Sequence, residues 1–405
     1  MRKLISLLLS LLLIVSLAFG SAGCKEKAPE TPKAPTTSQT ETVAKADGYI
    51  DFTEADLNGA LNQEYVKPKN VIVMISDGMG LNDLVLANKF SDFLFDFGLT
   101  FENFKNKGEM TTNSLSGLTD SAASGTAMAT GQKTENGFIG MKPDGAKLKN
   151  APELAREKGK KVGIVTDDNI YGATPSAFTV HCASRDNTEE IVRLFIEFTP
   201  DVLIGDGYLK YQSSVQKFKR LGNVKEKTLA KINVAANEKE WEAKAKEDPN
   251  REKAFFGFLE ADLRTNSYSL AHATQVALER LQNEKGFFLM VEGAACDKAG
   301  HNKNAAQKPV GVTNFDKAVA VAVKYCAENP DTLLIITSDH ETGGVTLPEG
   351  EYKLNKDIFT TDYHTEANVG IFALGYGSEY FKDKTVDNAE LGKFIHAAIK
   401  GEKYK

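Results

Sequence analysis

Apolar runs at 70–75, 161–165, 201–204, 287–291, 332–337 and 368–374 have the length of strands and no helical period. Stretches with helical spacing lie between them, at 269–282, 306–327 and 391–399. No other feature narrows the fold so far. A strand that is apolar on both faces has to be covered on both, and alternation with helices implies crossovers that keep the strands parallel. The expected class is therefore α/β: a mostly parallel central sheet between two helical layers. Sheets of this kind bind ligands beyond the carboxyl ends of their strands, so chemistry is expected just after each run.

Candidates stand at those places. The first run leads into Asp77-Gly78-Met79-Gly80, where glycines let the backbone turn tightly beside a ligand. The run at 287–291 leads into Glu292 and then to Asp297 and His301, the run at 332–337 leads to Asp339-His340, and Tyr363-His364 precedes the last run. A lone acid at a strand end commonly caps the next helix, and a lone histidine is commonly structural. His181, His272 and His396 have no such company and are read as structural. Four acids and three histidines converging on one end of a sheet would repel one another without cations between them. Mixed carboxylate and imidazole ligands suit zinc.

The stretch 118–140 carries a different chemistry. Thr119-Asp120-Ser121-Ala122-Ala123-Ser124-Gly125-Thr126-Ala127 sets a serine before small, helix-favouring residues, with Gly131 and Gly137 beyond. Ser121 would then sit at the mouth of a helix, where free N–H groups and the dipole favour an anion. The plainer reading makes Asp120 or Ser121 a helix cap and nothing more. The acids and histidines elsewhere favour a nucleophile.

The chain begins with Arg2 and Lys3, an apolar run over 4–19 and the small residues Gly20-Ser21-Ala22-Gly23 before Cys24. The run is too short for a membrane span and has the layout of a secretion signal. The expected organisation is a lipoprotein-type signal peptide at 1–23, a flexible tether at 24–47 with Cys24 lipidated, and a catalytic domain at 48–405. A plain signal peptide with Cys24 as bystander is the alternative. The tether is rich in Pro, Thr, Lys and Glu and cannot bury enough surface to fold. The expected location is outside the cytoplasm, on a membrane facing the periplasm or cell exterior. Formal charge is −6 and becomes about −8 after the signal is lost, which argues against general affinity for nucleic acid. Only Cys182, Cys296 and Cys326 remain beyond Cys24, so no disulfide framework is expected.

The D-G-M-G turn, T-D-S-A-A-S-G-T-A, A-T-P-S-A-F with its following His181 and Ser184-Arg185, V-E-G with Asp297-Lys298 and His301, and the Asp339-His340 pair occur in that order. Together they resemble the alkaline phosphatase family, over nearly everything from residue 70 onward. The resemblance implies a three-layer αβα sandwich, two zinc ions and one magnesium ion. It implies that Asp297, His301 and His364 hold one zinc, and that Asp77, Asp339 and His340, with Ser121, hold the second. Asp77, Thr174 and Glu292 would hold the magnesium, Arg185 would grip two phosphate oxygens, and Lys298 would tune phosphate affinity. Family members are often homodimers, but nothing in the sequence specifies a contact.

The physics agrees with these roles. A serine hydroxyl needs a cation to become a good nucleophile, and a guanidinium matches phosphate as a bidentate fork. One position departs from the family, which commonly has Asp or His two residues before the threonine of A-T-P; here it is Gly172. A weakened or altered magnesium site is expected, unless Asp167, Asp168 or Asn169 compensates. The region 207–255 is expected to be a charged helical insertion, either a solvated face or a lid. The function implied is hydrolysis of phosphate monoesters through a phosphoserine. A phosphodiesterase of the same superfamily is the nearest rival, and a tethered solute-binding lipoprotein is the rival of another class.

Overall fold

β1 (Asn70–Ser76) is buried at every position. It lies between β7 (Phe287–Gly293) and β8 (Thr332–Thr337), parallel to both and also buried throughout. The computed structural model describes residues 51–90, 95–259, 269–347 and 353–405. The expected signal peptide, the tether and Cys24 lie outside these.

The other strands of the sheet are β2 (Asn106–Thr111), β3 (Lys161–Asn169), β4 (Val202–Asp206), β5 (Ile232–Ala235), β6 (Ala254–Phe258), β11 (Val369–Leu374) and β12 (Thr385–Asp387). Two short strands, β9 (Glu341–Thr342) and β10 (His364–Thr365), pair separately and antiparallel. The main sheet has ten strands in the order β12-β2-β11-β8-β1-β7-β3-β4-β6-β5. Only β11 runs against its neighbours, β2 and β8. Alternate residues of β1 enter two cores: Val71, Val73 and Ile75 face helices Ser121–Thr130 and Asn388–Lys400, while Ile72 and Met74 face helices Ser269–Leu281 and Gln307–Glu328. This is the three-layer α/β sandwich expected.

Register brings the strand ends together. Ile75 of β1 pairs with Glu292 of β7 on one side and with Thr337 of β8 on the other. The residues that follow, Asp77 and Asp339-His340, therefore emerge at one edge beside Glu292. The sheet neighbours of β1 are thus far apart from it in sequence.

The region 207–255 departs from expectation. It holds helices Tyr208–Arg220, Glu226–Leu229 and Glu238–Glu247, but also β5 and the first two residues of β6, strands that extend the sheet beyond β4 in parallel. The lysines and glutamates occupy the outer helix faces, while Phe255, Phe256, Phe258 and Trp241 are buried. It is a sheet edge with helical cover rather than a purely helical insertion. Strands of only four and five residues, β5 without an aromatic and β6 with three phenylalanines, are too short to stand out from the surrounding charge.

Candidate active site

The helix Ser121–Thr130 is capped by Asp120, whose Oδ1 accepts from Ala123 N at 2.9 Å, and ends at Gly131 in the left-handed region. All ten residues of this helix are buried, which its small side chains permit. The cap is Asp120, and Ser121 is the first residue of the helix. The second oxygen of Asp120 accepts from Gly137 N and from Arg185 Nη1, each at 3.0 Å. Burial opposes the Arg185 charge, but Asp120 overrides it and raises the pKa, so the guanidinium stays protonated. Arg185 is thereby fixed beside the helix mouth with its remaining donors available.

Ser121 Oγ lies 3.2 Å from His340 Nε2. That nitrogen is also 3.2 Å from Asp339 Oδ2 and 3.6 Å from Asp77 Oδ1. Burial, then the neighbouring His364, depresses the His340 pKa well below the usual value, so the ring is neutral. Asp77 is pushed the other way, by burial and by the charges of Asp339, Asp297 and Glu292; burial and Asp297 lift Asp339 to about 7. Asp77, Asp339 and His340 each offer a ligand atom within 4.8 Å of the others.

Asp297, His340 and His364 form a second such group. His301 joins it, with Nε2 3.3 Å from Asp297 Oδ1 and 3.3 Å from His364 Nε2. The Nδ1 atoms of His301 and His364 face the backbone carbonyls of Asp362 and Thr119, at 2.7 and 2.8 Å. Each Nδ1 is placed to donate to that carbonyl, which turns each Nε2 inward as the atom available to a ligand. Two imidazole nitrogens and a carboxylate facing one another form a donor set that fits a cation. Burial would raise Asp297, but the His301 bond, the His340 ring and the Thr342 hydroxyl hold it below the usual carboxylate range.

Orphaned atoms test the fit. Asp77 Oδ1, Asp339 Oδ2 and Thr174 Oγ1 are buried without a hydrogen-bond partner. Such atoms are costly unless something binds them, and these belong to the oxygen donors expected of metal ligands. Glu292, raised by burial to about 8 despite a 2.5 Å bond from Thr166, lies in the same acid-rich pocket. These residues fit bound cations.

Gly172 caps the short helix Ala173–Ala177 and contributes no side chain; an added Cβ would stand 3.1 Å from the Asn169 carbonyl. Asp168, at the end of β3, takes up Lys298 instead, with Nζ to Oδ1 at 2.6 Å. Beneath the D-G-M-G turn, Lys308 Nζ donates to Asp83 Oδ2 at 2.8 Å and to the Gly78 carbonyl at 3.0 Å, wholly buried. Gly78 itself, at φ 73°, allows the turn to touch the helix Ala295–His301: a Cβ there would be 2.6 Å from Asp297 Cα.

All of the sequence-derived candidates except Cys24 therefore meet at one end of the sheet. Sequence reasoning missed Thr342, whose hydroxyl reaches both Asp297 Oδ1 (2.6 Å) and His340 Nδ1 (3.1 Å), and it missed Asp120 as the partner of Arg185. A threonine two residues after His340 was the only hint. His181 and His396 make structural bonds, to Gly140 and Glu153 and to Ala129.

Comparison with known proteins gives the family. The alkaline phosphatase family model matches residues 68–200 and 238–390. Alkaline phosphatase 4 of Bacillus subtilis is 32% identical over 323 residues, which cover 73% of this chain and 66% of that protein, just under two thirds of its length. The alkaline phosphatase of the Antarctic bacterium TAB5 superimposes with a TM-score of 0.71 at 28% identity, covering 83% of this chain and 99% of the other. A variant of that enzyme has Mg bound in its M3 site. The chain belongs to the alkaline phosphatase family.

Proposed function

We propose that the protein hydrolyses phosphate monoesters, with Ser121 as nucleophile. The observation that carries this reading is the convergence of buried acids and neutral imidazoles on the Ser121 hydroxyl, with three buried oxygens left unpartnered. Asp297, His301 and His364 would hold one zinc; Asp77, Asp339, His340 and Ser121 the other; and Asp77, Thr174 and Glu292 a magnesium. When bound, these cations supply the charge that makes a serine hydroxyl and a water nucleophilic and that steadies a departing oxygen.

The chain's own groups do the rest. Arg185 takes two phosphate oxygens in its fork, and Asp120 keeps that fork aimed. The dipole of the ten-residue helix starting at Ser121 adds favourable potential for the phosphate. Ser121 Oγ bonds to phosphorus as the ester oxygen leaves with its alkyl or aryl group. Water then attacks the phosphoserine, Oγ departs, and inorganic phosphate is released. Two displacements give net retention.

In the third site Gly172 offers no ligand, and the Asp168 carboxylate is engaged by Lys298. A weakened or altered magnesium site is therefore expected. Thermal stability unchanged on removing only magnesium would argue for a two-zinc enzyme.

The testing experiment is hydrolysis of an aryl phosphate monoester and the matching diester at alkaline pH. Monoester turnover should fall at least about a thousandfold in Ser121→Ala. It should vanish on chelation and return with zinc, rising further with magnesium. Preference for the diester would move the protein to the diesterase rival, and turnover of neither would leave a binding protein. We also propose export and lipid anchoring at Cys24, supported by the sequence of 1–24.

A further inference from the structure

Three rings stack in series outward from the nucleophile. His340, whose Nε2 touches Ser121 Oγ, lies under His364 with ring centroids 3.5 Å apart and planes 20° apart. His364 in turn lies against Tyr363, at 4.5 Å and 7°. Exposure rises along this ladder: His340 is 0% exposed, His364 7% and Tyr363 48%. Tyr363 is one of the few large apolar-bodied side chains left in solvent among the described residues, and it stands at the mouth of the site.

Its backbone is fixed on every side. The Asp362 carbonyl faces His301 Nδ1, the Tyr363 carbonyl accepts from Gly343 N at 2.9 Å, and Tyr363 N donates to Thr361 Oγ1 at 3.1 Å. The ring packs tilted against His301, 5.9 Å away. A shelf already held in place costs little entropy when something stacks on it. Metal ligation needs only the imidazole of His364, and the hydrogen bond to the Thr119 carbonyl already orients that ring. An exposed aromatic is not required for either purpose.

We propose that Tyr363 is a specificity-determining residue, a rigid aromatic shelf on which the leaving group of an aryl or nucleoside phosphate monoester stacks. This rests on the monoesterase reading, in which the Asp297–His301–His364 cluster faces the departing oxygen, so the group attached to that oxygen leaves past the ring beside His364. One face of Tyr363 is spent on His364, and the other is offered to the substrate. Stacking of this kind binds ground state and transition state alike, so its signature belongs in KM rather than kcat.

The test compares wild type, Tyr363→Phe, Tyr363→Leu and Tyr363→Ala on phenyl phosphate, a nucleoside monophosphate and glycerol phosphate, with kcat and KM resolved. Tyr363→Leu and Tyr363→Ala should raise KM for the two aromatic substrates about tenfold and leave glycerol phosphate within about twofold. Tyr363→Phe should behave as wild type. Equal losses on all three substrates would make the ring a mere prop for His364 and overturn the proposal, as would no change on any. Those outcomes leave the monoesterase reading standing, because wild type still turns over; a wild type inactive on all three sinks that reading and the shelf with it.

Discussion

At the scale of single residues, the acids of the site carry a pH signature of their own. Asp77, Asp339 and Glu292 have folded-state pKa values above the ordinary carboxylate range, Asp339 near 7 and Glu292 near 8, while His301 is raised by its bond to Asp297. Without cations these raised groups keep protons that the unfolded chain has given up, from the ordinary carboxylate range to about pH 8, so their contribution to stability falls as pH rises through that window. His340 and His364, held neutral by burial, act oppositely, but only below the ordinary histidine value of 6.5. The metal-stripped protein should therefore lose melting temperature between about pH 6.5 and about 8, and the gap to the zinc-loaded protein should widen over that window. Calorimetry at stepped pH checks this, and a flat or rising curve for the stripped protein would contradict it. These acids were legible because each follows an apolar run. Asp120, Asp168 and Thr342 were not, because a hydrogen-bond partner chosen by folding leaves no spacing pattern in the chain.

Among the elements, the helix Gln307–Glu328 does more than cover the sheet. Its Gly311 lets it close on the helix Ala295–His301, where a Cβ would come within 2.8 Å of Cys296 N. Its Lys308 ties Asp83 and the Gly78 carbonyl together under the turn that presents Asp77. Replacing Lys308 by Met leaves Asp83 buried without its counter-charge and should cost about 3–5 kcal/mol. Activity should fall as well, because the turn loses its anchor. The double variant Lys308→Met with Asp83→Asn should recover part of the stability, measured as denaturant midpoints. Helix 307–328 was expected at 306–327 and β8 at 332–337, since long periodic segments and unbroken apolar runs announce themselves. β2 did not: Asn-Lys-Gly-Glu-Met-Thr has neither pattern, and it becomes a strand because β11 and β12 flank it. β12 is three residues long, below the length at which alternation can be seen.

For the molecule as a whole, alternation of apolar run and helix was enough to give the sandwich, and the motifs were enough to give the family. The sheet's far edge was less legible, because a charged surface conceals the short strands β5 and β6. If Cys24 carries a lipid, Cys24→Ser should shift the protein from the membrane to the soluble extracellular fraction with turnover per molecule unchanged; a protein already soluble before the change would favour the plain signal peptide. The site draws on Asp77, Ser121, Arg185, Glu292, Asp297, Asp339 and His364, and its central strand is paired only with strands more than two hundred residues later. No fragment of the chain emerging in order from a ribosome or a translocation pore contains a working centre. If the chain is exported unfolded, as proposed, it is chemically silent in transit, and phosphate esters on the side it leaves are safe until the last strands dock on the other.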